Sequence, residues 1–395
     1  MYSKMKRPEP EQQLLPNDLI REILSRLPMP AISKFRCVSK SWINIIDSSI
    51  FAELHLRNYC NTPTSSSTDN ESCVFIRNFD FRTKILKVSM MLAGCHRLCR
   101  EFSLDYEFGR NYQSNTCIQI VGPVNGLICI YGIGSRERLS LCNPYLGETK
   151  TLPRAPTMMS EGLVFHRAGL GFDSAHQDIK VVQLLCYLDT SEGKHTLGML
   201  VDIYSRNTNT WTTLEANVDI NMWAMEPIAI IDNDGSFCHW VALRDRGVRS
   251  STFAVLSFDV CNGVFYTTLL PHCISDMSKV GVKVFGKGRS LVLFSWSPRG
   301  HHFAEGAYFL DMWVLSGLGK EGRWSWSSRI GPRVHLSRPV GLWKSRGLVL
   351  YYLEDKRFVI YDYVTHEITD MDIDVGDQFN PKVVEFKGSL VSLRK

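Results

Sequence analysis

The first sixty residues carry apolar side chains at the spacing of short helices. One run comprises Leu19, Ile20, Ile23, Leu24 and Leu27. Pro16 precedes this run and Pro28 follows it, and proline favours the first turn of a helix but interrupts its interior. The same spacing predicts a second helix from Pro30, a third from Ser39 and a fourth from Ser49 to Leu56.

These four helices carry more apolar side chains than a module of their size can bury. A unit below roughly 70 residues is marginal on its own because its core is small relative to its surface. The surplus of apolar residues therefore predicts that another surface covers part of the module. The alternative is a helical cap that packs on its own chain.

The pattern changes after a polar linker or loop at residues 59–72. From Cys73 to the end of the chain, short runs rich in β-branched and aromatic residues alternate with Gly, Pro, Asn and Asp. Such punctuation is typical of strands joined by tight turns. Runs of this kind include Leu127–Tyr131, Lys180–Tyr187 and Leu291–Trp296. The pattern predicts a large all-β region.

A strand–turn–strand unit recurs within this region, at 139–153, 201–214, 256–271, 309–330 and 358–373. We take Asn143, Tyr204, Asp259, Asp311 and Asp362 as equivalent points, which repeat at steps of 51 to 61 residues. A lone hairpin is unstable in water, but radial stacking of sheets buries their faces. The repeat predicts a propeller whose number of blades stays open. Natural wedges between its sheets are Trp211, Trp313, Trp324 and Trp326.

The N-terminal stretch resembles the F-box. The matching words are Leu15-Pro16, the run DLIREILSRLP from Asp18, FRCVSKSW from Phe35, and a trailing S-x-x-F-A from Ser48. The resemblance implies docking on a Skp-type adaptor of a cullin–RING ubiquitin ligase. By position in the motif, the implied adaptor contacts are Leu15, Pro16, Ile20, Leu24, Leu27, Pro28, Val38, Lys40 and Trp42, some of which must also hold the module's own core.

The β region resembles the F-box-associated, kelch-like domain of plant F-box proteins. The matching words are GPVNGLICI (122–130), LCNPYLGETKTLP (141–153), GLGFDSAHQDIKVVQ (169–183) and the stretch 339–368. One departure is Gly263, where the family usually carries an acidic residue. The predicted fold class is α+β multidomain, with a small helical module before a large all-β, propeller-like domain. The predicted boundaries are 1–13 for a flexible N-terminus, 14–58 for the F-box, 59–72 for the linker and 73–395 for the β domain.

Composition and charge exclude several classes of protein. Apolar residues make up 44% and charged residues 22% of the chain, which is ordinary for a soluble globular protein. No apolar run reaches the roughly 18 residues of a membrane span, and no secretory signal is visible. The net charge of +5 is spread too evenly to suggest nucleic acid. The twelve cysteines are expected to be reduced thiols, which predicts a cytoplasmic or nuclear location.

Signals for catalysis are weak, so we expect no cofactor, no metal and no active site. Cys95, His96 and Cys99 lack the second ligand pair that structural zinc needs. The motifs of phosphate-binding loops, zinc proteases and serine hydrolases are absent from the sequence. Loop residues that could bind a protein target are Trp223, His301, His302, Phe303 and Arg333, the last within a basic cluster from Arg329 to Arg346.

The sequence therefore predicts the substrate-recognition subunit of an SCF-type cullin–RING ubiquitin ligase. In this role the F-box would dock on the adaptor and the β domain would capture a target for ubiquitination. The alternative is a stand-alone, propeller-like interaction scaffold without a ligase role, and a propeller enzyme that binds copper or zinc is a further alternative. The target, its pathway, any modification it must carry and the oligomeric state stay open.

Overall fold

The computed structural model divides the chain into two compact units. It describes residues 15–27, 29–61, 73–80, 85–92, 98–104, 118–132, 139–159, 163–189, 196–215, 226–227, 229–231, 235–246, 251–274, 281–287, 290–296, 308–333, 337–343, 347–352, 357–371, 383–386 and 388–393. The helical unit comprises Met1–Ser65 together with Ser389–Val391. The β unit comprises Ser66–Gly388 and Ser392–Lys395. No helix in the described ranges is long and apolar enough to cross a membrane.

The helical unit contains four short helices among its described residues, as the apolar spacing predicts. They are α1 (Asn17–Ser25), α2 (Met29–Phe35), α3 (Lys40–Ile46) and α4 (Ser49–Asn61). Pro16 is the N-cap residue of α1. Ser39 caps α3, because its hydroxyl accepts a hydrogen bond from the Trp42 N–H at 3.2 Å. Such a cap satisfies one of the unpaired donors of the first helical turn.

One apolar cluster forms the core of the helical unit. Its fully buried members are Leu24, Ile32, Ile45, Ile46 and Phe51. Ile20, Leu27, Phe35 and Trp42 pack against it and are partly buried. Every helix supplies at least one buried member, so the four short helices are held by their shared core rather than by intrinsic helix stability.

The β unit is built from 25 strands within the described residues. The first seven are β1 (Cys73–Asp80), β2 (Ile85–Leu92), β3 (Leu98–Leu104), β4 (Ile118–Val124), β5 (Leu127–Gly132), β6 (Ser140–Asn143) and β7 (Glu148–Thr151). The next nine are β8 (Leu163–Asp173), β9 (Asp178–Asp189), β10 (Thr196–Ser205), β11 (Thr210–Glu215), β12 (Glu226–Pro227), β13 (Ala229–Ile231), β14 (Phe237–Arg246), β15 (Ser251–Asp259) and β16 (Val264–Leu269). The last nine are β17 (Gly281–Lys287), β18 (Ser290–Trp296), β19 (Tyr308–Ser316), β20 (Arg323–Arg333), β21 (Ser337–Trp343), β22 (Gly347–Tyr352), β23 (Arg357–Asp362), β24 (Ile368–Met371) and β25 (Val383–Phe386).

These described strands form six sheets, which confirms the predicted propeller-like repeat architecture. Four sheets are β4 to β7, β8 to β11, β12 with β14 to β16, and β21 to β24. A fifth contains β17 to β20 and adds β13, which runs parallel to β17. In the sixth, the C-terminal β25 pairs with β1 of the N-terminal group β1 to β3. Pairing of the last strand with the first closes the series and leaves fewer free sheet edges.

All five hairpins recognised in the sequence are outer strand pairs of these sheets. Three of them, after β6, β15 and β23, share one turn device. In each, a side-chain oxygen of Asn143, Asp259 or Asp362 accepts hydrogen bonds from the N–H groups two and three residues later, at 2.7–3.2 Å. This Asx geometry is the physical reason why a short polar turn recurs between the strands.

The structure corrects two details of the predicted repeat. Asp311 was wrong as an equivalent point, because it lies within β19 and receives two hydrogen bonds from Arg329, at 2.7 and 3.0 Å, rather than opening a turn. Trp326 was wrong as a wedge between sheets, since its side chain is 54% exposed. In contrast, Trp324 packs between sheets and donates to the Leu269 carbonyl at 2.9 Å.

Apolar clusters between neighbouring sheets form the core of the β unit. One joins Trp240 and Phe258 to residues of β9 and β10. Another joins Phe294 and Leu310 to residues of β21 to β23. Gly169 on β8 marks a close approach to the first cluster, because an added Cβ would lie 2.7 Å from the Trp240 ring. The sheets are therefore locked face to face by large buried side chains.

Candidate functional site

The described part of the helical unit holds an unusual concentration of exposed apolar side chains. On α1, Leu19 and Ile23 are 51% and 52% exposed, whereas Leu24 is 1% exposed. Four more large apolar residues of the unit are also exposed. We call the six residues together the exposed apolar set: Leu15, Leu19, Ile23, Val38, Ile43 and Ile50. Isolated exposed apolar residues are ordinary, but such a concentration on a small unit makes these residues a candidate binding surface.

Helix α1 carries two apolar stripes that point in different directions. Ile20 and Leu24 face the core of the unit, as does Leu27 just beyond the helix, and Leu24 is fully buried there. Leu19 and Ile23 lie four positions apart on the other stripe, and both are exposed. Positions four residues apart lie on one face of a helix. The second stripe is therefore an outward ridge and takes no part in the core.

Polar contacts hold the helix that carries this ridge. The buried His55 of α4 places its Nε2 2.8 Å from the carbonyl oxygen of Leu27, so that nitrogen donates the hydrogen bond. Asn58 donates to the Ser25 hydroxyl at 2.6 Å. The contact to Ser25 lies at the C-terminal end of α1, and the contact to Leu27 lies two residues beyond it. They fix α1 against α4 in the helical unit.

Ion pairs on α1 contribute little to this arrangement. Arg21 lies 2.8 Å from Asp18, and Arg26 lies 2.5 Å from Glu22. The Arg21 side chain is 32% exposed and the other three side chains are 46–89% exposed, and such pairs are worth only about 0.2–0.5 kcal/mol each on a helix surface. Their effect is to keep the charged flank of α1 soluble beside the apolar ridge.

The structure places the residues implied as adaptor contacts in three different settings. Leu15, Pro16, Val38 and Lys40 are exposed. Ile20, Leu27 and Trp42 are partly buried against the core, and Leu24 is buried within it. Pro28 lies outside the described residues. Sequence reasoning missed Leu19, Ile23, Ile43 and Ile50 as candidates. The second stripe on α1, four positions apart, was the signal that could have identified the first two.

The residues predicted to bind a target are not assembled into a described site. Trp223, His301, His302 and Phe303 lie outside the described residues. Arg333 is the last residue of β20, where its backbone pairs with Tyr308, and its side chain is likewise outside the description. Their role in binding a target stays a prediction.

Burial and hydrogen bonds shift the pKa values of several titratable groups in the described part of the β unit. Burial raises the pKa of the Cys129 and Cys238 thiols far above the ordinary value, so both stay neutral. Burial also tends to raise the pKa of Asp173, but hydrogen bonds from Lys180 at 2.6 Å and His176 at 2.8 Å outweigh it and lower that pKa to about 2. The described residues contain no group of three or more His, Cys, Asp or Glu placed to hold a metal ion. Cys95 and His96 lie outside them.

Comparison with known families shows which class of protein carries these two units. Residues 13–54 match the F-box domain, and residues 100–392 match the family described as the F-box associated beta propeller domain. The chain belongs to the F-box proteins with an F-box associated propeller domain. The exposed apolar set of this F-box protein therefore lies within its F-box.

Individual relatives agree with this family. An F-box/kelch-repeat protein of Arabidopsis thaliana is 25% identical over 339 residues, which cover 85% of this chain and 84% of the relative. Another F-box protein of Arabidopsis thaliana is 23% identical over 93% of this chain and 88% of its own length. Among solved structures, TolB from Acinetobacter baumannii is similar with a TM-score of 0.40 and 10% identity, over 85% of this chain and 73% of TolB. The likeness to TolB carries no argument about function.

The combination of an F-box with a propeller domain, and the plant F-box relatives, support the general role of a substrate receptor in SCF-type ubiquitin ligases. Proteins of this kind are typically adaptors without catalysis of their own. The F-box also indicates the class of partner, a Skp-type adaptor.

Proposed function

We propose that this F-box protein docks on a Skp-type adaptor through the exposed apolar set and presents a target protein, captured by its β unit, for ubiquitination. The observation that carries the proposal is the division of α1 into a buried stripe and an exposed stripe. Because Leu24 packs in the core of the helical unit and Leu19 and Ile23 do not, Leu19 and Ile23 are left over for a partner.

The energetics of the exposed apolar set suit a firm protein interface. Complete burial of a leucine or isoleucine side chain stabilises a complex by about 1.5–3 kcal/mol. Leu19 and Ile23 are already half covered, so each contributes less than this. Even so, loss of about 3 kcal/mol from the two together would weaken binding roughly 100-fold, since each 1.4 kcal/mol is a factor of ten.

In this role the protein needs no chemistry of its own. It would accelerate ubiquitination by holding a lysine of the target near the charged conjugating enzyme, which converts an encounter in solution into a reaction within one complex. The buried, neutral thiols of Cys129 and Cys238 are consistent with a structural β unit.

The test is adaptor binding by the full-length chain with Leu19→Ala and Ile23→Ala combined. We expect the double variant to lose co-purification with a Skp-type adaptor, with its helical circular dichroism and melting temperature unchanged, because alanine favours helix and both positions are exposed. A matched control combines Val364→Ala with Ile368→Ala, two exposed apolar residues of the β unit, and should keep the adaptor.

The outcome separates a ligase receptor from a stand-alone scaffold. If the wild-type chain binds the adaptor and the α1 double variant does not, the docking surface is the one proposed. If the double variant retains full affinity, the exposed stripe is not the docking surface. If the wild-type chain itself fails to bind any Skp-type adaptor, the scaffold alternative is favoured.

A further inference from the structure

A segment from the far end of the chain belongs to the helical unit. Ser389–Val391 group with Met1–Ser65 in one compact unit, although more than 320 residues separate the two in sequence. Leu390 packs against the core cluster formed by α1 to α4. The C-terminus therefore supplies an apolar side chain to the core of the F-box.

The backbone around Leu390 is ordered by local hydrogen bonding. Ser389 is buried, and its hydroxyl accepts a hydrogen bond from the Val391 N–H at 3.1 Å. A serine that bonds to the N–H two residues later closes a small turn. The turn brackets Leu390, so the conformation of this leucine is set by its two neighbours as well as by packing.

The residues that follow are held by the β unit. Glu148 on β7 accepts two hydrogen bonds, from the Ser392 hydroxyl at 3.0 Å and from the Leu393 N–H at 2.7 Å. Arg206 donates to the Ser392 carbonyl at 2.7 Å, and the Leu393 side chain is buried. Hydrogen bonds in which one partner is charged are stronger than neutral ones. Leu390, before the Val391–Ser392 bond, is thus held by packing, and Ser392 and Leu393, after it, are held by hydrogen bonds.

A small helical module has reason to use such a segment. A core built from four short helices is marginal because too little of its surface is buried, and each additional buried side chain matters. Leu390 contacts the same cluster as Leu24, Ile45 and Ile46, the residues that position α1 against α3. The outward stripe on α1 is therefore presented by a core that Leu390 completes.

We propose that Ser389–Val391 form an integral part of the F-box of this protein, with Leu390 completing its core in cis, and that adaptor docking depends on an intact C-terminus. The part of this proposal that concerns docking rests on the proposed function. The part that concerns the helical core does not, and this makes the two separable by experiment.

The experiment compares hydrogen exchange of α1 and α3 in the full-length wild type and in Leu390→Asp. Burying a carboxylate against an apolar cluster is unfavourable, so the variant loses the contact. We expect exchange of the α1 and α3 amides to accelerate by roughly tenfold or more, because local opening becomes easier. Exchange of β10 and β11 should stay as in the wild type.

Two variants control this comparison. Leu390→Met keeps the apolar volume and should retain wild-type exchange, since swaps of similar volume are tolerated in cores. Ile368→Asp places the same charge on an exposed residue of the β unit and should leave exchange in the helices unchanged. Unaltered exchange of α1 and α3 in Leu390→Asp would overturn the proposal.

Adaptor binding by the same proteins gives the second measurement. We expect Leu390→Asp to bind a Skp-type adaptor roughly tenfold more weakly than wild type and Leu390→Met to bind equally well. If the wild type does not bind the adaptor, the proposed function fails, while faster exchange in Leu390→Asp still supports the structural role of Leu390. Wild-type affinity in Leu390→Asp overturns the dependence of docking on the C-terminus.

Discussion

Replacing one leucine from each stripe of α1 should distinguish a residue that stabilises the core from a residue that contacts the adaptor. Leu24 is 1% exposed and belongs to the core of the helical unit, whereas Leu19 is 51% exposed on the other side of the helix. The two leucines are five positions apart, have the same chemistry and lie in one helix. Leu24→Ala and Leu19→Ala are therefore matched variants that differ only in what the side chain contacts.

The two variants should lose different amounts of folding stability. Truncating a buried leucine to alanine costs about 2–5 kcal/mol, because transfer free energy is lost and a cavity forms. A unit of this size has a total stability of only about 3–10 kcal/mol at the usual contribution per residue. Leu24→Ala should thus unfold the helical unit partly or wholly. Leu19→Ala should change its stability by less than about 0.5 kcal/mol.

Two assays on the full-length chain read out the difference. Hydrogen exchange should show lost protection throughout α1 and α3 in Leu24→Ala and wild-type protection in Leu19→Ala. Adaptor affinity should fall in both variants, in the first because the surface is no longer formed and in the second because one contact, about 1.4 kcal/mol or tenfold, is missing. Loss of protection in Leu19→Ala together with normal protection in Leu24→Ala would refute the assignment of the two stripes.

Three further predictions concern the β unit. His166 is 1% exposed, and burial lowers its pKa from 6.5 to about 4. Between these two pH values the unfolded chain binds a proton at this histidine that the folded chain does not. The free energy of unfolding therefore falls as the pH falls from 6.5 towards 4, by about 3 kcal/mol in full. His166→Phe should reduce this slope by one proton in urea denaturation between pH 7 and pH 4.5, and an unchanged slope would contradict the assignment. Gly169→Ala should destabilise the β unit by about 1–3 kcal/mol, seen as a lower denaturation midpoint, because the new methyl group would lie 2.7 Å from Trp240 and 2.8 Å from Cys238. Asp259→Ala should cost about 1–2 kcal/mol through loss of its turn hydrogen bonds, whereas Asp259→Asn, which keeps an acceptor, should cost clearly less; equal midpoints for the two would show that the turn is held in another way.

Local patterns in the sequence were sufficient for the secondary structure and the class of fold. Helical spacing and proline positions identified all four helices, because both depend on residues a few positions apart. The recurring strand–turn–strand units identified the outer hairpins of five sheets for the same reason. Asn143, Asp259 and Asp362 close their turns with bonds to the next few N–H groups, so their role is visible in a short window of sequence.

The equivalence drawn at Asp311 failed because spacing along the chain does not report hydrogen-bond partners. The regular step between hairpins made this aspartate equivalent to Asn143, Asp259 and Asp362, but its carboxylate pairs with Arg329 on the neighbouring strand. Likewise, Trp324 and Trp326 are the same residue type two positions apart on one strand, yet Trp326 is exposed and Trp324 packs between sheets.

A short helical module and a repeated β domain can be recognised in the sequence, because helix and hairpin patterns are set by nearby residues. Which stripe of α1 faces outward is set by the packing of the helices against one another. Leu19, Ile20, Ile23 and Leu24 form one broad apolar arc, and the side that is buried depends on where the other helices pack. The entry of Leu390 into the core of the F-box likewise comes only from packing, since contacts between residues more than 320 positions apart leave no periodic signal in the chain.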